Sequence, residues 1–185
     1  MRVYPLPSTH PEFSVLKSDV FCEYRVENWH LSRDGKNSVI RNASSWSLWH
    51  SLIPLVLSVL WLNLAKPWLK VLLSLAVLFY FWTLCTQVLS ESVMVIPSHG
   101  IQLETHRGLA PITFFINRRF IPRTQLRDVL INEGIRRWGF RYYLVASVQH
   151  SSGNITLEVC FENILPRFPV LLQVYQGIQD LLQTT

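Results

Sequence analysis

The chain has 185 residues, of which 49% are hydrophobic and only 16% charged, and it carries a net charge of +5. Soluble domains average about 25% charged residues, so part of this chain is built for apolar surroundings, and the length leaves room for one soluble domain beside that part. The three cysteines, Cys22, Cys85 and Cys160, lie too far apart for a metal knuckle or a redox pair and read as reduced thiols.

Residues 1–45 form an N-terminal segment. Its first dozen residues contain Pro5, Pro7 and Pro11 and are expected to be loosely ordered. Asp19–Val26 (DVFCEYRV) has the pattern of one strand, free to pair with a later sheet or to lie along a membrane. No apolar core of a signal peptide occurs in these 45 residues.

Trp46–Ala65 is a run of 20 residues without Asp, Glu, Lys or Arg, and Val71–Leu89 is a second of 19. A membrane-crossing helix needs about 20 apolar residues. Between the runs stands Lys66-Pro67-Trp68-Leu69-Lys70, which suits an interfacial turn. The expectation is a two-helix transmembrane hairpin, 46–65 and 71–89. His50 falls at its interface and Pro54 at a kink, while Asn63, Thr83, Thr86 and Gln87 lie near the ends or face partner helices. Arg33, Lys36, Arg41 and Arg107 flank the pair on one side against Lys66 and Lys70 on the other, which leans towards both termini in the cytosol. Two sequons, at Asn42 and Asn154, offer a test of that topology.

From residue 90 onward the period is mostly two. Ser92–Ile96, Ile101–Thr105, Thr113–Ile121, Leu126–Ile135, Tyr142–Val148 and Ile155–Phe161 read as strands, with Ser151–Asn154 as a hairpin turn. Then Leu171, Val174, Tyr175, Ile178, Leu181 and Leu182 fall at helical spacing after Pro166 and Pro169. The fold class expected is a membrane α-helical hairpin plus an α+β soluble domain (90–185). That domain is expected as a pleckstrin-homology-like barrel of about six strands with a C-terminal helix.

Catalytic equipment is sparse. The four aspartates, Asp19, Asp34, Asp128 and Asp180, form no close pair for a metal-bound nucleotide sugar, and no two glutamates stand eight apart. There is no glycine-rich phosphate loop and no histidine pair at ligand spacing. No catalytic residue, cofactor or metal ligand is nominated. The strongest soluble feature is seven arginines, Arg118, Arg119, Arg123, Arg127, Arg136, Arg137 and Arg141, in 24 residues against Asp128 and Glu133, a local net charge of +5. Near a membrane such a stretch attracts anionic lipid at about 1 kcal/mol per basic residue, or it is a solvated strand face. Arg118, Arg119, Arg123, Arg136 and Arg137 are the candidates to face anionic lipid or a partner. Nothing in the pattern points to nucleic acid.

Several blocks stand in an order that resembles one known family. They are the hydrophobic hairpin, SHGIQLET (98–105), RRFIP (118–122), DVLINE (128–133), RYYLVASV (141–148) and LPRFPVLLQVYQGIQDLL (165–182). The chain is similar to the H subunit of phosphatidylinositol N-acetylglucosaminyltransferase, the PIG-H family. The resemblance implies a non-catalytic accessory subunit in the first step of glycosylphosphatidylinositol (GPI) anchor synthesis, in which GlcNAc passes from UDP-GlcNAc to phosphatidylinositol. It implies an endoplasmic reticulum membrane location, a PIG-A-like catalytic subunit and other membrane subunits as partners. Asp128, Asn132 and Glu133, in the most specific block, and Tyr175 on the C-terminal helix are the candidate partner-binding residues. The alternative is a membrane-tethered domain that reads anionic lipid headgroups through its arginines.

Overall fold

The computed structural model describes residues 1–31, 39–41, 48–63, 65–136, 139–150 and 153–183. Strands β1 (Arg2–Val3), β2 (Phe13–Lys17) and β3 (Cys22–Glu27) come first, and a short ribbon of β4 (Trp29–Leu31) and β5 (Val39–Arg41) follows. In β3 the alternation expected of a strand with one buried face is complete: Cys22, Tyr24 and Val26 are buried and Glu23, Arg25 and Glu27 are not. The opening residues are more ordered than their prolines suggest. Leu6 packs on the core, His10 is buried with Nδ1 3.0 Å from Glu12 Oε1, and β1 pairs with β2. The prolines sit in the turn between β1 and β2, where their missing N–H groups cost no ladder bond.

Helix α1 (Leu48–Asn63) lies within the first apolar run, and α2 (Pro67–Cys85) overlaps the second. The second differs from the expected 71–89. Lys66 is its N-cap and Pro67 opens it, because proline has φ already set for a helix and its absent donor would be unpaired there anyway. It ends at Cys85, and Val88 and Leu89 already belong to a strand. Trp46, Ser47 and Leu64 of the first expected span lie outside the described residues. Four described polar side chains are satisfied within their own helix: Ser58 donates to the Leu55 carbonyl (2.7 Å), Asn63 to Val59 (2.9 Å), Ser74 to Lys70 (3.0 Å) and Thr83 to Tyr80 (2.7 Å). Partner helices are therefore not needed to satisfy them.

Strands β6 (Val88–Ile96), β7 (Gly100–Leu109) and β8 (Ile112–Pro122) extend the first sheet to six strands, all antiparallel, in the order β1-β2-β3-β6-β7-β8. Strands β9 (Leu126–Arg136), β10 (Gly139–Gln149) and β11 (Ile155–Val159) form a second sheet in the order β11-β10-β9. Helix α3 (Phe168–Gln183) packs on β9 and β10. The six strands after residue 88 and the final helix match the expected elements, but the expected closed barrel does not form. Closure would require a free edge on β6, and β3 occupies that edge by pairing from Cys22↔Val95 to Glu27↔Ser90. One core joins the layers: Phe13, Tyr24 and Val26 from the first strands, Val93, Val95 and Ile101, then Val129, Leu144 and Phe161, and Val170, Leu171, Val174 and Ile178 of α3. Each such aliphatic or aromatic side chain, fully buried, contributes about 1.5–3 kcal/mol.

Candidate interaction surface

Glu91 is an acid in the middle of an apolar strand, and it is buried. Its carboxylate accepts from Asn163 N (3.2 Å), Asn163 Nδ2 (2.6 Å), Ile164 N (2.9 Å) and Thr105 Oγ1 (3.4 Å). A buried polar side chain is tolerated only with such a set of hydrogen-bond partners. Glu91 thereby fastens the turn after β11 to β6 and so fixes where α3 begins. The sequence offered a signal for it, one charge inside a β-branched run, but not its partner 72 residues away.

Glu104 makes a second cluster on β7. It accepts from Gln102 Nε2 (2.6 Å) and Arg118 Nε (2.9 Å), and His106 Nε2 lies 3.2 Å away. Burial pushes this carboxyl up, yet the hydrogen bonds from Gln102 and His106 and the Arg118 charge outweigh it and hold the group below the usual range. On the opposite face of β7 and β8, a cleft of about 260 Å³ between the first sheet and β11 is lined by Thr105, Asn117, Arg119, Glu158 and Cys160 among others. Burial raises the Cys160 thiol to about 12, so it stays protonated at neutral pH and is a poor nucleophile. Among the described residues no group of three His, Cys, Asp or Glu could hold a metal.

The arginines do not form one face. Arg118 turns to Glu104, while its neighbour Arg119 takes the opposite side of β8 and pairs with Glu158 at 2.5 Å. Arg123 is exposed in the turn after β8, its N–H bonded to the His99 carbonyl (2.7 Å), and Arg127 Nε donates to Gln149 Oε1 (2.5 Å). Arg141 is exposed near the start of β10. The backbone of Arg136 ends β9; its side chain, with Arg137 and Trp138, lies outside the described residues.

The partner candidates fall in two places. Asp128 is at the base of β9, where Oδ1 accepts from Val129 N (2.7 Å) and from Gln179 Nε2 on α3 (3.1 Å). Tyr175, one turn before Gln179, packs partly buried against the core. Asn132 and Glu133 are exposed farther along the strand and on opposite faces, Asn132 Oδ1 accepting from Glu133 N (2.9 Å). They belong to an arm: beyond Ile131 the β9–β10 pair leaves the core behind. Ile135 and Phe140 face each other across it at 78% and 72% exposure. At the arm's base Tyr142 rests on Phe168 of α3, ring centroids 5.0 Å apart. A two-stranded ribbon is marginal by itself in water, so an arm with apolar side chains bare on it is suited to being covered by another molecule.

Residues 92–162 match the family model described as GPI-GlcNAc transferase complex, PIG-H component. Phosphatidylinositol N-acetylglucosaminyltransferase subunit gpi15 of Schizosaccharomyces pombe is 30% identical over 111 residues, 60% of this chain and 66% of the relative. No solved structure matches. The matched residues begin at the buried Ser92 in β6, run through the whole arm and end at the turn held by Glu91; through them the chain is similar to the PIG-H family, and it spans just under two thirds of the length of the relative it matches.

Proposed function

We propose that this chain is a non-catalytic subunit of a GPI-GlcNAc transferase, supporting transfer of GlcNAc from UDP-GlcNAc to phosphatidylinositol in a complex with a PIG-A-like catalytic subunit. The observation that carries the reading is that the matched segment contains an uncovered arm, with Ile135 and Phe140 bare on it. The catalytic subunit docks on β9 and the arm, around Asp128, Asn132 and Glu133, with α3 and Tyr175 as the scaffold beneath. The paired arginines Arg118 and Arg119 speak against a headgroup-reading surface on β8, because their charges are already engaged.

In this proposal the complex sits in the endoplasmic reticulum membrane, and this subunit enters it as a helical hairpin with both termini cytosolic. Helix α2 has 19 apolar-rich residues, about 28 Å at 1.5 Å per residue, close to the thickness of the hydrocarbon core. Pairing of β3 with β6 keeps the chain before α1 and the chain after α2 on one side of any bilayer. In this reading the crossings are even in number, with α1 accompanying α2. Arg107, donating to the Thr86 carbonyl (3.3 Å) at the exit of α2, puts a cation where the positive-inside rule wants it.

The test is complementation. Expressed in cells that lack their own PIG-H subunit, the chain restores GPI-anchored proteins at the surface and co-purifies with the catalytic subunit, while the purified chain alone transfers no GlcNAc to phosphatidylinositol. Transfer by the chain alone overturns the non-catalytic assignment.

A further inference from the structure

The turn from β7 to β8 is tied to the end of α2. Gly108 N–H donates to the Gln87 carbonyl (2.8 Å), and Arg107 donates to Thr86 just before it. Gln87 leads straight into β6, so no flexible linker separates helix from sheet. In register, Arg107 stands opposite Val88, the first residue of β6. The chain that follows, Leu109-Ala110-Pro111-Ile112, therefore runs past the start of β6, towards the side from which α2 arrives. A β-bulge at Phe114 against Gly108 shapes the hairpin there, and a Cβ on Gly108 would overlap the Ile112 carbonyl.

This end of the hairpin is apolar and bare. Ile112, Phe114 and Phe115 are 59%, 49% and 55% exposed, and Ile116 is exposed as well. No charged residue occurs from Gly108 to Asn117. Charge returns at Arg118 and Arg119, six residues and about 20 Å farther along the strand. Two phenylalanines and an isoleucine held beside the mouth of an apolar helix are what the boundary between headgroups and acyl chains accepts.

We infer that the β7–β8 hairpin end, Leu109 to Phe115, is inserted into the bilayer interface beside α2 and fixes the sheet on the membrane. The inference rests on the reading of α2 as a membrane-spanning helix. The occupant of the apolar surface is lipid, because hydrogen bonds hold the hairpin end at the point where the helix leaves the bilayer.

The experiment uses the full chain in phosphatidylcholine–phosphatidylinositol nanodiscs, in a Cys85→Ser background. The buried Cys22 and Cys160 are kept. Nitroxide is attached after Leu78→Cys in α2, Ile112→Cys, Phe114→Cys, or Thr124→Cys in the turn past the far end of β8, and saturation is measured against oxygen and a water-soluble nickel chelate. The expected result is a ratio of oxygen to nickel accessibility at 112 and 114 several-fold above that at 124, and highest at 78. Nickel accessibility at 112 and 114 equal to that at 124, with 78 still deep, overturns the inference alone. Shielding of 112 and 114 from both reagents overturns it in favour of protein cover. A water-exposed label at 78 overturns the membrane-spanning reading and the inference with it.

Discussion

Gly177 of α3 lies directly against the hydroxyl of Tyr24 in β3, so close that a Cβ on Gly177 would overlap the Tyr24 Oη. Helix and strand can approach this far only because glycine presents no side chain. The contact joins two segments more than 150 residues apart and draws the N-terminal strands into the core beneath the C-terminal helix. Burial, with Cys22 and Asp180 adding to it, raises the phenol of Tyr24 well above its ordinary value and keeps it neutral.

Gly177→Ala tests that packing. In a free helix the exchange stabilises by about 1 kcal/mol through propensity. Here Tyr24 is only 5% exposed and has little room to swing away. Overpacking of this kind costs about 1–3 kcal/mol, so the variant is expected to be less stable than wild type. Adding Tyr24→Phe, which removes the offending oxygen, recovers part of the loss in a thermal melt. A Gly177→Ala protein that melts higher than wild type contradicts the close approach.

Asp128→Ala combined with Glu133→Ala separates docking from folding. The pair loses the Asp128–Gln179 hydrogen bond, a matter of about 0.5–1.5 kcal/mol, and remains folded and membrane-inserted. Capture of the catalytic subunit in a pull-down is expected to fall several-fold. Ile178→Asp, a charge at a fully buried position, loses capture by unfolding instead and is told apart by its protease sensitivity. Wild-type capture by the double variant excludes β9 as the docking strand.

Glu104 gives the fold a pH dependence with a definite sign. Its carboxyl is held below the ordinary glutamate range, so its contribution is present above that range and is lost as pH falls through the lowered value. Glu104→Gln is therefore expected to lower the melting temperature at pH 7. The gap should begin to narrow as pH falls past the unfolded carboxyl's value, about 4.3, and close once pH is below the lowered folded value. An equal gap at pH 7 and pH 3 refutes the role of the ionised group.

Glycosylation mapping addresses the topology. With both termini cytosolic, the sequon at Asn154, in the turn before β11, stays unmodified. A glycan acceptor placed after Lys66, between α1 and α2, is modified if that turn is long enough for the transferase. Glycan on Asn154 places the sheets in the lumen and defeats the proposed orientation.

The sequence determined the elements whose cause is local. Uncharged runs set α1 and α2; period two set β6 to β11; the Leu171, Val174 and Ile178 spacing set the buried face of α3. Even the block around Asp128 could be singled out, because polar residues among apolar ones stand out in a linear reading. What the tertiary structure alone decided is which edges meet. Nothing near Cys22–Glu27 encodes that it pairs with Val95–Ser90 across two intervening helices, and that pairing is why the sheet stays open rather than closing into a barrel. The arginines looked like one basic patch in sequence. Their separation into a Glu104 pair and a Glu158 pair depends on the opposite faces of β8 and on acids 14 and 39 residues away. Glu91 and Gly177 carry roles that exist only through partners brought close by the fold. A short-range pattern reports the surface each residue prefers, but which surface it meets depends on pairings whose energy is gained only when distant segments close together.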